Sequence, residues 1–228
     1  MKKIVRGKTI LTLSTGNKKL VGDENNAFLI WNLPAIKTCP YATKLCKKFC
    51  YAKKAENVYP NVLPSRSENL QDTKNDNFIE DMINTIEYYL NKRSRKDGNK
   101  MTKEKNVYFR IHESGDFYSQ EYFDKWIIIA RFFPEVNFLA YTKSVIFVKN
   151  SKLDIPSNFT VRFSVWDDTK EDQIQMANSL NLPIYTADQE EGLRKKVVYG
   201  GFNFCHCDCS KCKDCYNKNI EKLVVGIH

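Results

Sequence analysis

Residues 106–112 read Asn-Val-Tyr-Phe-Arg-Ile-His, and the alternation within this stretch decides the predicted fold. Alternate residues of an extended strand share a face, so the valine, phenylalanine and isoleucine form an apolar face. Arg110 and His112 fall on the opposite face. The stretch 159–166 repeats the pattern and places Arg162 and Ser164 on its polar face. Both stretches are therefore predicted to be strands with one polar side.

Strand-like and helix-like segments alternate along the chain, which predicts an α/β fold with a parallel sheet. An open sheet that is covered by helices on both faces seldom buries two arginines, whereas a barrel lumen that holds a ligand can be polar. We therefore expect a partial (β/α) barrel. The alternative is that Arg110 and Arg162 form structural ion pairs with acids such as Glu113 or Asp167. Strands are predicted at 27–34, 106–112, 136–142, 159–166 and 183–186, and helices at 78–90, at 119–133 and after Asp167.

The loops that follow the predicted strands carry the candidate catalytic residues. Active sites of barrels form at the carboxyl ends of the strands. We therefore expect His112, Glu113, Asp116 and Lys143 to line a catalytic rim, with His112 or Lys143 moving a proton. Arg110, Arg162 and Ser164 are predicted to bind a ligand from the lumen.

A loop at residues 38–51 carries Cys39, Cys46 and Cys50 with the spacing C-x6-C-x3-C. Pro40 suits the first position of a helix, which would place Cys46 and Cys50 on one face. A straight helix would hold Cys39 roughly 10 Å from Cys46, too far for one metal ion. A cluster of several irons tolerates that separation, and three thiolates leave one coordination position open.

The segment 201–228 is a second cysteine-rich region, predicted to extend from a barrel that occupies residues 1–200. Cys209, Cys212 and Cys215 have the C-x2-C-x2-C spacing of a bacterial-type ferredoxin. Cys205 is the predicted fourth ligand, with Cys207 spare or interchangeable. A second [4Fe-4S] cluster is therefore expected, and a zinc–thiolate site is the alternative.

Composition limits the classes of protein to consider. The chain has 228 residues, 42% hydrophobic and 13% aromatic, enough for a packed core. No apolar stretch is long enough to span a bilayer and no secretory leader is visible, so we expect no membrane partner and a cytoplasmic location in a bacterial host. In that reducing compartment clustered cysteines indicate metal ligands rather than disulfides. The net charge of +9 and the basic stretch 92–105 leave nucleic acid as a candidate partner.

The chain resembles the gene product 88 family of bacteriophage proteins. The resemblance rests on the first cysteine motif, on Arg110-Ile-His-Glu-Ser-Gly-Asp-Phe-Tyr-Ser119, on Ala140-Tyr-Thr-Lys-Ser144 and on the terminal cysteines. It implies a phage or prophage origin and supplies no activity. More distantly the plan is similar to radical S-adenosylmethionine enzymes, whose cysteine spacing is C-x3-C-x2-C. That resemblance implies a TIM-barrel-like half barrel, an open [4Fe-4S] cluster, an auxiliary cluster and S-adenosylmethionine as a candidate ligand.

Three functional hypotheses follow. The first is an iron–sulfur enzyme with two [4Fe-4S] clusters, in which the open iron binds a small molecule whose carboxylate or phosphate pairs with Arg110 or Arg162. The second is a non-catalytic redox or regulatory protein with a redox partner. The third is a zinc-binding, nucleic-acid-binding protein. The sequence leaves open whether the chain is an enzyme.

Overall fold

The computed structural model describes residues 2–16, 20–23, 25–91, 106–188, 203–205, 208–209 and 211–226. The basic stretch 92–105 and Cys207, which entered the nucleic-acid and second-cluster hypotheses, lie outside the described residues. The strands are β1 (Lys3–Val5), β2 (Lys8–Ile10), β3 (Asn26–Trp31), β4 (Asn106–Ile111), β5 (Val136–Thr142), β6 (Phe159–Val165), β7 (Ile184–Asp188), β8 (Asn203–Phe204) and β9 (Lys222–Gly226). The helices are α1 (Lys44–Lys48), α2 (Tyr51–Val58), α3 (Val62–Asp72), α4 (Phe78–Asn91), α5 (Gln120–Phe132), α6 (Val145–Asn150), α7 (Glu171–Ser179) and a short 3-10 helix (Asp214–Tyr216).

Seven strands form one sheet in the order β3-β4-β5-β6-β7-β9-β8, and every pairing within it is parallel. Consecutive parallel strands that lie side by side require crossovers of one hand, which places the connecting helices on one face. The sheet curls into half of a barrel, so the predicted α/β class is confirmed. Among the described strands β3 and β8 form the two edges and do not pair with each other.

The helix-covered face of the sheet contains the main hydrophobic core. Phe109 of β4 is fully buried between Trp126 of α5 and Phe138 of β5, with ring centroids 5.4 and 5.3 Å away. Helix α5 begins where the sequence predicts, because the Ser119 hydroxyl accepts a hydrogen bond from the backbone N–H of Tyr122 at 3.2 Å. The predicted apolar stripe of α4 packs into the same core.

The opposite, inner face carries polar and aromatic side chains and is covered by the C-terminal segment. Tyr216 of that segment packs on Tyr108 of β4 at a centroid distance of 4.9 Å. Its carbonyl accepts a 2.7 Å hydrogen bond from the Thr160 hydroxyl of β6. Strands β8 and β9, which fall within the predicted C-terminal extension, join the main sheet next to β7. The inner face is thus lined by the strands and covered by residues 214–220.

Candidate metal centres

The loops after β3 and β4 are tied together at the carboxyl edge of the sheet. The backbone N–H of Leu33 donates to the carbonyl of Ser114 at 2.9 Å, and the Ser114 hydroxyl donates to the carbonyl of Leu33 at 2.8 Å. The Asn32 side-chain oxygen accepts from the backbone N–H groups of Glu113 and Ser114. These bonds fix the start of the first cysteine loop against the loop that carries the predicted catalytic acids.

Gly115 allows these two loops to approach closely. Its φ of +89° lies in the region that side-chain-bearing residues rarely adopt. A Cβ at this position would lie 2.7 Å from both Leu33 Cβ and Thr38 Oγ1. Thr38 is itself held by a 2.8 Å bond from its hydroxyl to the carbonyl of Pro34. The backbone next to Cys39 therefore depends on a glycine in the neighbouring loop.

The first cysteine group, Cys39, Cys46 and Cys50, does not lie on a single helix. Helix α1 begins at Lys44 because the Thr43 hydroxyl caps it, accepting from the Cys46 N–H at 3.2 Å. The helix start predicted at Pro40 is therefore wrong, and Cys39 lies in the turns before α1. Cys50 is the N-cap residue of α2. Two helices and a turn bring the three thiols to the edge of the sheet.

The three thiols of this group lie within electrostatic reach of one another. Burial raises the pKa of Cys39 to about 12, with further contributions from the Asp116 carboxylate and from Cys46 and Cys50. Burial also raises the pKa of Cys46, and the Lys143 ammonium opposes that shift through its charge and a hydrogen bond to the thiol. A metal that binds here must displace the protons of these thiols.

Lys143 and Asp116 occupy the predicted rim. Lys143 is 6% exposed, and its ammonium donates to the Ser164 hydroxyl at 2.7 Å. The carboxylate of Asp116 accepts from the Thr142 hydroxyl at 2.6 Å, from Phe117 N–H at 2.7 Å and from Lys143 N–H at 2.9 Å. Burial raises the pKa of Asp116 in spite of these donors. The three bonds give Asp116 a role in fixing the ends of β4 and β5.

His112 does not join Arg110 on the inner face, as the alternation predicted. Its φ of +66° reverses the direction of the side chain at the end of β4. The ring packs on Phe117 at 5.0 Å, and Nε2 lies 2.9 Å from the hydroxyl of Tyr122, a residue of α5. Burial first, and then the charge of Arg110, lower the pKa of His112 to about 3. The neutral ring packs in the helix-covered core, so the prediction that His112 shares the polar face with Arg110 is wrong.

Arg162 remains on the inner face, where it holds the C-terminal segment. It is fully buried, and its guanidinium donates to the carbonyls of Cys215, Ile220, Asp214 and Asn217 at 2.7, 2.8, 2.9 and 2.6 Å. These bonds engage every nitrogen of the side chain. This arrangement favours a structural role for Arg162 over ligand binding. The partners of Arg162 are backbone carbonyls rather than the carboxylates of Glu113 or Asp167.

Arg110 lies on the inner face in a different setting. Its guanidinium carbon is 3.9 Å from the centroid of the Tyr141 ring, which is close enough for a cation–π contact. Its Nε donates to the His112 carbonyl at 3.1 Å. Among the described residues, no carboxylate lies within salt-bridge distance of this guanidinium. Arg110 is therefore the guanidinium best placed to meet an anion in the lumen.

The second cysteine group, Cys205, Cys209, Cys212 and Cys215, lies over the inner face. Cys215 differs from the other cysteines of this group because its thiol lies beside the thiol of Cys205 and the hydroxyl of Tyr141. The hydrogen bond from Cys205, followed by that from Tyr141 and the nearby arginine charges, lowers the pKa of Cys215 to about 6. Burial raises the pKa of Cys212. Cys209 packs beside Phe28 and Ile30 on the same face.

The seven cysteines of the described segments are free. In the described segments no three His, Cys, Asp or Glu side chains are spaced to hold one metal ion. The donors are nevertheless of one chemical class, soft sulfur, in two separate groups. This donor set suits iron–sulfur clusters or zinc better than hard cations such as Mg²⁺.

Sequence reasoning missed the tyrosines that lie near the cysteine groups. Tyr51 donates to the carbonyl of Glu113 at 2.6 Å and so links the first cysteine loop to the loop after β4. Tyr141 and Tyr185 pack with ring centroids 4.2 Å apart, next to the second cysteine group. The available signal was the alternation within the strand, since Tyr141 lies opposite the apolar side chains of Phe138 and Ala140.

Comparison with known proteins identifies the family of this chain. A profile of the family described as gene product 88 matches residues 11–217. The chain belongs to the gene product 88 family. The gene 88 protein of Mycobacterium phage L5 is 31% identical over 133 residues, which cover 56% of this chain and 52% of the phage protein. The gene 88 protein of Mycobacterium phage D29 is 32% identical over 133 residues, 56% of this chain and 51% of the phage protein.

The chain thus spans about half the length of these curated relatives. No solved structure matches it. Neither relative is described as an S-adenosylmethionine enzyme, so that resemblance stays a prediction. None of the helices in the described segments is both long and apolar enough to cross a membrane.

Proposed function

We propose that this gene product 88 protein is an iron–sulfur protein that holds two [4Fe-4S] clusters. Cys39, Cys46 and Cys50 would hold the first, and Cys205, Cys209, Cys212 and Cys215 the second. The observation that supports this proposal is that the seven free cysteines of the described segments fall in two groups, one at the carboxyl edge of the sheet and one over its inner face.

The number of thiolates in each group distinguishes the two centres. Four cysteines can satisfy every iron of a cubane, whereas three leave one iron without a protein ligand. A bound cluster would supply one-electron chemistry at both places and a coordination position for a small molecule at the first. Lys143 would donate a hydrogen bond to the sulfur of Cys46, and Asp116 would hold the loop after β4 to the end of β5 near Cys39.

The ligand at the open position would meet Arg110. Arg162 is engaged by four carbonyls, whereas the guanidinium of Arg110 donates to the His112 carbonyl, lies on the Tyr141 ring and is near the charge of Glu113. A guanidinium recognises a carboxylate or phosphate through paired N–H donors. S-adenosylmethionine carries such a carboxylate and is the ligand to test first. Methionine and deoxyadenosine formed on reduction would support a radical enzyme, and their absence would favour a redox or regulatory role.

The test is the metal content of protein purified without oxygen. If two cubanes are bound, we expect about eight irons and eight sulfides per chain and absorption at about 400 nm. The substitutions Cys46→Ala and Cys212→Ala should each remove about half of the iron, because each breaks one group and spares the other. A matched control is Ser65→Ala, a half-buried polar position in α3 and distant in sequence from both groups, which should leave the iron unchanged.

Colourless protein with stoichiometric zinc and no sulfide would contradict the proposal and favour the zinc alternative. In that case binding to DNA that falls steeply with salt would point to the nucleic-acid hypothesis. About four irons in the unsubstituted chain would show that one cysteine group has been misassigned, and the two cysteine variants would identify which.

A further inference from the structure

Helix α1 presents three lysines on one side. Lys44, Lys47 and Lys48 have the spacing i, i+3, i+4, which makes their side chains neighbours on one face, about 5–6 Å apart at Cβ. All three are exposed, whereas Leu45 and the C-cap residue Phe49, on the other side, are half-buried. The helix therefore has a basic exposed side and a packed side.

The charges of this basic side are not matched by acids. Residues 37–55, which include α1 and the loop before it, contain six lysines and no aspartate or glutamate. Within the part of the chain that the structure describes, no carboxylate forms an ion pair with the three lysines of α1. Asp168, which contacts this helix, accepts a 2.8 Å hydrogen bond from the Leu45 N–H. Because like charges one turn apart repel each other, a bound polyanion would stabilise the helix.

Contacts on the packed side hold α1 in a fixed position. The Thr43 hydroxyl caps the helix, and the ring of Phe49 stacks on that of Trp166, which follows β6, with centroids 6.0 Å apart and planes at 6°. The Lys48 ammonium lies 5.2 Å from the centroid of the same Phe49 ring. A helix that is fixed in this way keeps its lysines at a set spacing, which lowers the entropy lost when a ligand binds.

Helix α2 adds an aromatic ring beside the basic side of α1. Tyr51, its first residue, is 62% exposed, and its hydroxyl donates to the carbonyl of Glu113 at 2.6 Å. Lys54 lies one turn further along α2 and is also exposed. Three residues of chain span at most about 11 Å, so Tyr51 lies close to Lys48. An exposed ring whose hydroxyl is held in place is a platform on which a planar base can stack.

We propose that α1 and α2 bind single-stranded nucleic acid, with its phosphates on the lysines of α1 and a base stacked on Tyr51. Lysine ammonium groups pair with phosphates, and aromatic rings stack with bases of any sequence. A duplex offers its phosphates but keeps its bases stacked inside, so only a single strand can use both features. This inference goes beyond the proposed function and requires no cluster, because lysines and a tyrosine carry it.

The test is fluorescence anisotropy of labelled oligothymidylate and oligouridylate, about 16 nucleotides long, titrated with the full chain at several salt concentrations. Each phosphate contact on a single strand contributes about −0.7 to the slope of log affinity against log salt. The slope should therefore become less steep by about 1.4 in Lys44→Gln/Lys47→Gln. The control, Lys3→Gln/Lys152→Gln, removes the same charge from exposed lysines of β1 and of the turn after α6 and should keep the original slope. Binding of either oligonucleotide supports the proposal, and the tighter one identifies DNA or RNA.

A second pair of variants tests the stacking. Tyr51→Leu should weaken binding by about tenfold, the cost of losing one stacked base. Phe132→Leu removes a similarly exposed ring, 56% accessible, from α5 and should leave the affinity unchanged. Equal weakening in the two lysine variants, or tighter binding of a duplex than of a single strand, would overturn the inference.

Two further results separate the alternatives. Binding to vesicles of anionic phosphatidylglycerol, with no binding to either oligonucleotide, would overturn the inference and point to a membrane surface instead. Iron-loaded protein that binds no oligonucleotide would overturn this inference alone. Iron-free protein from an oxygen-free preparation that still binds the oligonucleotides would overturn the proposed function alone.

Discussion

The two faces of the curled sheet are held by different interactions. The helix-covered face packs buried aromatic and aliphatic side chains, such as Phe109 against Trp126 and Phe138. The inner face is joined to the C-terminal segment mainly by directed polar bonds, of which the four from Arg162 are the clearest. Apolar packing tolerates small shifts, whereas these hydrogen bonds depend on position.

This difference explains how one sheet can both stabilise the fold and carry the polar side chains beside the cysteine groups. The helix-covered face supplies the hydrophobic free energy that keeps the fold together. The inner face can therefore carry arginines, tyrosines and thiols that add little apolar burial. We therefore predict that substitutions on the helix-covered face lower the stability of the whole fold. Substitutions on the inner face should instead affect the second cysteine group.

The largest effect is expected from Phe109→Ala on the helix-covered face. Removal of a fully buried phenylalanine typically costs about 3–5 kcal/mol in the free energy of unfolding. Chemical denaturation should show that loss, while the iron content of the folded fraction stays at the unsubstituted value. A selective loss of iron from folded protein would contradict the assignment of this face to stability alone.

A smaller but more selective effect is expected from Arg162→Met. The substitution keeps an apolar stem but leaves four carbonyls without their donor, at about 1–3 kcal/mol for each carbonyl that stays buried. Some of the four should reach water once the segment loosens, so we expect about 2–4 kcal/mol in total. If the proposed clusters are bound, folded protein should lose about half of their iron, because the bonds from this side chain go to the segment that carries the second cysteine group.

Arg110→Met provides the contrast on the same face. Among the described residues, the Arg110 guanidinium donates to one backbone carbonyl, that of His112, so its loss should leave the proposed second cluster in place. Equal iron loss in the two arginine variants would show that charge, rather than the four bonds of Arg162, holds the C-terminal segment.

Asp116→Asn tests the boundary between the two faces, at the carboxyl edge of the sheet. An amide can replace the carboxylate at one oxygen, but its NH₂ group would then face a backbone N–H donor. The loss should be about 1–3 kcal/mol in the free energy of unfolding. Thr142→Ser, which keeps the hydroxyl that donates to Asp116 and accepts from Ser144 N–H, should cost less. A loss for Asp116→Asn no larger than that for Thr142→Ser would show that the bonds to Asp116 contribute little.

Much of this fold could be predicted because it follows from local patterns. The alternation at 106–112 and 159–166 predicted β4 and β6 to within one residue at each end. The apolar stripe from Phe78 and the Ser119 cap predicted α4 and α5 in the same way. The amphipathic period and the cap lie within each segment, so no tertiary information was needed.

The site was less predictable because its contacts are distant in sequence. The carbonyl partners of Arg162 lie 52 to 58 residues away, so no local pattern distinguished that arginine from Arg110. The start of α1 was misplaced because Pro40 suits a first helical position, whereas the residue that caps the helix is Thr43. Tyr141 was overlooked because a tyrosine in a strand is ordinary until a cysteine is found beside it.

The side chain of His112 was assigned to the wrong face of the sheet because the alternation of side chains ends where the backbone stops being extended. Alternation holds only while φ and ψ stay extended, and the turn at +66° ends it one residue after β4. The placement of this ring has a measurable consequence. Its Nδ1 has no hydrogen-bond partner among the described residues, so the protonated ring would leave a buried N–H unsatisfied. This agrees with the lowering of its pKa to about 3.

The smallest effect at neutral pH, and the sharpest test of which face holds His112, is the dependence of stability on pH. The unfolded chain takes up a proton at His112 near a pKa of about 6.5, whereas the folded chain does not until about 3. Between these values the unfolded state binds more protons, so stability falls as the pH falls, by up to about 1.4 kcal/mol per pH unit for this group. His112→Gln should remove that contribution.

Denaturant titrations at pH 7, 6 and 5 should therefore show the unsubstituted chain losing stability relative to His112→Gln below about pH 6.5. The other two histidines, His206 and His228, are present in both chains, so their contributions cancel from the difference. A difference that is constant with pH would mean that the ring titrates normally in the folded state. That result would return His112 to the inner face, beside Arg110, because only an accessible ring could take up its proton without unfolding.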